Sequence, residues 1–260
     1  MEAKLHNIRA MLVRVAAAFA LVCVAGHAAE VCDPNAVAGR WGFQLAGRAL
    51  FTGNPVPVVS VGRLEFGSDG KASGVTSVNF NGYYLGNPVT GTYEARADCT
   101  VTWALQDDSG AWQHFAGKAA TDGTRVEFQQ SDPGAAIRGV MQKVPAECGA
   151  EGVRGVYRFT ISGKGTPFGE GSAGASVSAT AAAAADGAGN LTLEWGRTET
   201  SGTYTIGSDC FAELELGIPA ADGVSSELIA LRGILVDGGK EVLAIQKDPG
   251  RVAAARLVSR

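Results

Sequence analysis

The sequence predicts an all-β protein: two tandem antiparallel up-and-down β-barrels of about eight strands each, behind an N-terminal signal helix. Three observations carry this. The chain repeats itself once along its length. Each copy is a run of short segments of alternating polarity separated by turn residues. Glycine supplies 36 of 260 residues, and helical periodicity is nearly absent.

The N-terminus reads as an export signal. Residues 1–14 carry Lys4, Arg9 and Arg14, residues 15–25 are almost wholly apolar, and Gly26-His27-Ala28 places small residues at a cleavage site. The apolar run falls short of the roughly 20 residues that a spanning helix needs. Residues 1–28 are therefore assigned as signal peptide. Cys23 follows Val22, which is too large for a lipoprotein signal. The expected location is secreted or periplasmic, with no membrane span in the mature chain.

The repeat follows. Adding 116 to a residue number carries Cys32 to Cys148, Gly39 to Gly155, Trp41 to Tyr157, Phe43 to Phe159, and Asp132-Pro133-Gly134 to Asp248-Pro249-Gly250. In the middle the offset is 111, carrying Gly91-Thr92-Tyr93 to Gly202-Thr203-Tyr204 and Cys99 to Cys210. Insertions that cancel around a fixed frame are loops on a common scaffold. Copies of roughly 115 residues have the size of self-sufficient domains rather than of solenoid units. The expected division is 29–145 and 146–260, with domains that fold separately.

Four mature cysteines in an exported chain read as a disulfide set. The repeat selects Cys32–Cys99 and Cys148–Cys210, one bridge per domain, since cysteines matched by repeat position sit in equivalent places in separate domains. Metal binding is disfavoured, because there is no C-x-x-C pair and no histidine cluster.

The first copy gives strands at 40–46, 57–66, 71–80, 90–96, 99–106, 111–119, 124–130 and 136–143. The second gives 154–161, 174–183, 190–197, 201–206, 210–217, 225–236, 240–247 and 252–258. Turns such as Gly67-Ser68-Asp69-Gly70, Asp122-Gly123 and Asp132-Pro133-Gly134 separate them. Eight consecutive strands with short connections make a meander, and closing it removes the exposed edges. A two-sheet sandwich is the alternative, but it needs longer crossings. Period-two alternation puts Trp41, Phe43 and Leu45 on the interior face of the first strand, and Val101, Trp103 and Leu105 on that of the fifth.

Gly39-Arg40-Trp41 resembles the G-x-W opening of calycin barrels, the lipocalins and avidins. Gly91-Thr92-Tyr93-Glu94-Ala95 resembles the G-T-Y strand of avidin-type barrels. Arg138, on the last strand of the copy, is placed like the arginine that closes over the tryptophan in lipocalins. The second copy departs by carrying Tyr157 at the tryptophan position. The chain is also similar to exported bacterial barrels with a G-T-Y…D-C-T strand pair, a group that brings no activity with it. The resemblance implies the frame of each copy, not a binding site.

Reactive chemistry is hard to place. The mature chain has one histidine, His114, so histidine triads, dyads and metal sites lack partners. The cysteines are expected to be oxidised, which removes a thiolate nucleophile. Asp98, Asp209, Asp132 and Asp248 are explained as turn-opening residues. Gly163-Lys164-Gly165 lacks the rest of a phosphate loop. No catalytic residue, metal or cofactor is assigned. Without residues 1–28 the chain has a net charge of about −6, which excludes a nucleic-acid partner.

An aromatic set remains: Trp41, Phe43, Tyr93 and Trp103 in copy one, and Tyr157, Phe159 and Tyr204 in copy two. These are the candidate ligand-binding residues of the barrel interiors, set against plain core packing. The leading expectation is an exported non-enzymatic barrel that binds a small apolar ligand or lipid. The alternatives are a structural or adhesive surface module with filled barrels, and a cofactor-free isomerase or cyclase using carboxylates such as Glu65 or Glu94.

Overall fold

The computed structural model describes residues 32–166, 176–219 and 226–260; the signal-peptide reading of residues 1–28, and Cys23, lie outside the described residues. A 3-10 turn over Pro34–Val37, capped by the Asp33 side chain on the Asn35 amide, leads into the first barrel. Its strands are β1 (Gly39–Phe51), β2 (Asn54–Phe66), β3 (Lys71–Phe80), β4 (Tyr83–Ala95), β5 (Thr100–Asp107), β6 (Trp112–Ala119), β7 (Arg125–Gln130) and β8 (Ala136–Lys143). Each pairs antiparallel with the next, and β8 pairs back onto β1, so the sheet is closed.

A second 3-10 turn, Ala150–Gly152, opens the second barrel. It comprises β9 (Arg154–Gly165), β10 (Ser176–Asp186), β11 (Asn190–Trp195), β12 (Thr198–Ile206), β13 (Phe211–Pro219), β14 (Ser226–Val236), β15 (Glu241–Gln246) and β16 (Arg251–Ser259). It closes through β16 on β9.

Three strands of the first barrel outrun their sequence-based limits. β1 continues to Phe51, β2 begins at Asn54 and β4 begins at Tyr83. The added stretches contain Pro55 and Pro88, which cannot donate to a ladder and so read as loop. In the barrel their neighbours on both sides hold the register, as in Ala49↔Val56 and Val75↔Pro88.

Each barrel carries its own bridge. Cys32 joins Cys99 across 67 residues, and Cys148 joins Cys210 across 62. Bridges that close loops of this length contribute about 2–4 kcal/mol, mainly by restricting the unfolded chain. The repeat extends to backbone detail. Gly39 and its counterpart Gly155 both sit at φ 110°, a left-handed conformation that glycine adopts without strain.

The barrels meet along a seam formed by β1, β2, β3 and β8 of the first with β14, β15 and β16 of the second. Val59, Val61 and Val140 point outward from the first barrel and belong to the hydrophobic cluster of the second. At Gly42 a side chain would overlap Ile234 and Val236, so close approach of the two sheets requires glycine there. Gln142 donates from Nε2 to Glu241 Oε2 across the seam, and two further buried amides cross it. Gln44 donates from Nε2 to the carbonyls of Ala244 (2.7 Å) and Ala255 (2.9 Å), while its Oε1 accepts from Arg256 Nε. Asn79 donates from Nδ2 to the carbonyls of Gln246 (2.8 Å) and Arg251 (2.7 Å), while its Oδ1 accepts from the Gly82 amide. Both donors and the oxygen of these two amides are thus used, which offsets the cost of burying them. Residues Val31–Arg260 form one compact unit.

Candidate functional site

The first barrel is closed at one end and hollow at the other. At the closed end Trp41 is fully buried, its Nε1 donating to the Val37 carbonyl (2.7 Å) of the entering 3-10 turn. Lys143 lies over the indole at 4.1 Å and donates to the Ala38 carbonyl. Burial lowers the Lys143 ammonium below the usual lysine range. The cation over the tryptophan is therefore Lys143, not Arg138. The ladder pairs Trp41 with Lys143, whereas Arg138 pairs with Ala46, five residues along and on the opposite, exposed face.

Further aromatic rings pack the barrel interior around Trp41 and above it. Phe66 contacts Tyr93 at 4.6 Å, Trp103 stacks on Phe115 at 5.3 Å, and Phe128 meets Trp103 edge-on at 5.0 Å. Tyr93 donates its hydroxyl to the Gly67 carbonyl, and burial followed by the nearby Asp69 charge raises its pKa.

On this floor stands a cavity of about 170 Å³. Its lower wall is Phe43, Trp103, Phe115 and Phe128, and its sides include Leu45, Val58, Val89, Leu105 and Ile137. A dry cavity of about 150 Å³ in another protein holds benzene, so the volume suits one ring or a short alkyl chain. The mouth is two-sided. Ala49, Val78 and Phe80 line the apolar side, and Asp107, Gln113 and Gln130 line the polar side. All stand near the strand ends of β1, β3, β5, β6 and β7, which an up-and-down barrel brings to one rim. Leu50, Phe51, Tyr83, Tyr84, Leu85 and Trp112 are exposed on the hairpins of the same rim. Phe51 packs edge-on against Phe80 at 5.7 Å.

The aromatic residues expected in the interiors divide into three groups. Phe43 and Trp103 line the cavity. Trp41 and Tyr93 lie beneath it and do not line it. Tyr157, Phe159 and Tyr204 are buried in the core of the second barrel. There Tyr157 donates to the Gly239 carbonyl and Tyr204 to the Val153 carbonyl (2.6 Å), so both hydroxyls brace the closed end. Burial raises both phenols.

Leu45 and Leu105, placed on the interior faces by alternation, line the cavity as well. The same parity marks the other lining residues, because Asp107, Gln113 and Ile137 continue the inward alternation of Trp103, Phe115 and Met141 to the rim. The second barrel fills the equivalent space differently. Gln113 corresponds to Ile229, which is 1 % exposed, and Phe115 and Phe128 correspond to Leu231 and Ala244, both fully buried.

Residues considered for chemistry lie elsewhere. Glu65 and Glu94 do not line the cavity; Glu94 is exposed and paired with Arg96. His114 is on the outer face, its Nδ1 2.7 Å from Asp132 Oδ1. Asp98 and Asp209 accept the amides of Thr100 and Phe211, closing the turns beside the cysteines. Among the described residues no group of three or more His, Cys, Asp or Glu residues is placed to hold a metal ion. No helix among them is long and apolar enough to cross a membrane.

No protein-family model matches the sequence, and no curated protein matches it. Among solved structures the chain is similar to transferrin binding protein B from serogroup B Neisseria meningitidis. The identity is 7 %, the TM-score is 0.34, and 85 % of this chain and 76 % of that one are covered. A double mutant of transferrin binding protein B from Haemophilus parasuis Hp5 gives 8 % identity and a TM-score of 0.31, over 84 % of this chain and 74 % of that one. Likeness of this size carries no argument about what the chain binds.

Proposed function

We propose that the protein is an exported, non-enzymatic barrel protein that holds a small apolar ligand in the cup of its first barrel, with the second barrel as its packed support. The observation that carries this reading is the cavity: a ring-sized apolar space on an aromatic floor, opening at a rim with an apolar and a polar side. Export, to the periplasm or outside the cell, is supported by the two disulfides and by the signal pattern of residues 1–28. The calycin-type reading of the frame is supported by the entering 3-10 turn, the Gly39-Arg40-Trp41 opening and the cation over Trp41. We assign residues 29–145 to the binding domain and 146–260 to the supporting one.

Native mass spectrometry of the exported protein tests this. The expected result is a bound small molecule, or uptake of added 1-hexanol, that Val58→Phe abolishes by filling the cup. Overpacking a core position costs about 1–3 kcal/mol, so the variant should stay folded. A wild-type protein that neither carries nor takes up an apolar molecule would overturn the reading.

A further inference from the structure

The carboxylate and the hydroxyls of the cup are arranged to accept hydrogen bonds. Among its lining residues Asp107 is the one charged side chain, and no lysine or arginine is present. Asp107 is held by its own turn: Oδ1 accepts from the Ser109 amide (2.9 Å), the Ser109 hydroxyl (2.6 Å) and the Ala111 amide (3.3 Å). All three bonds go to one oxygen, and none of them uses Oδ2. Two hydroxyls of the lining have already committed their only protons. Ser60 Oγ donates to the Ser77 carbonyl at 3.0 Å, and Thr76 Oγ1 donates to the Asn87 carbonyl at 3.2 Å. What the two hydroxyls have left to offer is oxygen lone pairs, whereas Gln130 gives one of its two N–H groups to Asp132 Oδ2 at 2.8 Å and keeps the other.

We infer that the ligand of the cup is an amphiphile with a hydrogen-bond-donating head, best a protonated amine, on a ring-sized or short alkyl body. This rests on the cup reading above and narrows it. A fatty-acid carboxylate brings only acceptors. It would meet the Asp107 carboxylate and spent hydroxyl donors, with no cation to compensate for its desolvation. An ammonium brings three donors and a charge opposite to that of Asp107. The amides of Asn87, Gln113 and Gln130 can serve either head and do not decide the preference.

The test is calorimetric titration of the full chain with hexylamine, 1-hexanol and hexanoate at pH 7, in the wild type and in two variants. Asp107→Asn keeps an oxygen for the turn amides and removes the charge. Thr76→Val keeps the shape and removes an acceptor. The expected order is hexylamine, then hexanol, then hexanoate. Amine and carboxylate should differ by about tenfold or more, the scale of one charge-assisted hydrogen bond. Asp107→Asn should erase most of that gap, and Thr76→Val should narrow it. Equal or tighter binding of hexanoate, or a gap unchanged in both variants, would overturn the inference and leave the cup intact. Failure of all three probes to bind a cooperatively melting wild type would overturn the cup reading and this inference together.

Discussion

Trp41 closes the lower end of the first barrel through three contacts of different kinds. Its ring is fully buried, its Nε1 ties down Val37, and Lys143 covers its face. Its counterpart Tyr157 performs the same closure with a hydroxyl on the Gly239 carbonyl. Replacing a buried aromatic with alanine costs about 3–5 kcal/mol, against a total stability of about 5–15 kcal/mol. Trp41→Ala is therefore expected to lower the melting temperature sharply, with the near-ultraviolet signal of the first barrel lost first. Unchanged melting would place Trp41 in solvent and invert the register on which the interior assignments depend. The burial of Trp41 was legible in the sequence, because it opens an alternating strand. The identity of its cation was not. The choice between Arg138 and Lys143 depends on strand parity and length within a closed ladder. Five residues separate the two, an odd number, so they face opposite ways.

At the scale of the element, the turns that frame the two upper rims share one device. Asp132 Oδ2 accepts from Gln130 Nε2 (2.8 Å) and from the His114 amide (2.9 Å). Asp248 Oδ2 accepts from Gln246 Nε2 (2.8 Å) and from the Ala230 amide (3.0 Å). The sequence showed the turn-opening role of both aspartates, but not the cross-strand bond to the neighbouring hairpin, since that amide lies 18 residues away. Asp132→Ala should cost about 1–3 kcal/mol through the lost bonds to the amide and to Gln130. It should also weaken ligand binding, because Gln130 lines the cup. Asp248→Ala should cost a similar amount without affecting the ligand. Thermal melts paired with titrations separate the two, and equal ligand loss in both variants would count against a site confined to the first barrel. A pH effect accompanies Asp132. Burial opposes its ionisation, but the bonds from Gln130 and His114 prevail and hold its pKa below the usual aspartate range. A carboxylate depressed in the folded state stabilises it above the unfolded-state pKa, and this contribution is lost as pH falls through the folded value. The stability gap between wild type and Asp132→Ala should therefore be full at neutral pH and shrink on acidification below about pH 4.

At the scale of the whole molecule, each barrel closes on itself, carries its own disulfide and has its own core, yet the two share a buried seam. The duplication was plain from the repeated cysteines and turns. The seam was not, because a two-domain reading assigns outward positions to solvent. Two signals in the sequence did mark it. The run Val58-Val59-Ser60-Val61 breaks the alternation of β2, and Val242-Leu243-Ala244-Ile245 runs apolar without a break in β15, which is buried at all six positions. Strands covered on both faces show continuous rather than alternating apolar residues. The seam leads to a definite expectation for the separated halves. Residues 29–145 and 146–260, exported independently, should each form a β-rich barrel with its own bridge. Each would then expose an apolar stripe, centred on Val59, Val61 and Val140 in one half and on Ile234, Val236, Leu243 and Ile245 in the other. Exposed patches of this kind drive association. The buried amides of Gln44 and Asn79 would favour the native partner over self-association, since their acceptors are carbonyls of the second half. Mixing the halves should therefore give a one-to-one complex by analytical ultracentrifugation, more stable to heat than either half. Gln44→Ala, which leaves the Ala244 and Ala255 carbonyls without their donor, should weaken that complex without unfolding the first barrel. Two soluble monomeric halves that ignore each other when mixed would show that the seam contributes nothing to the stability of the chain.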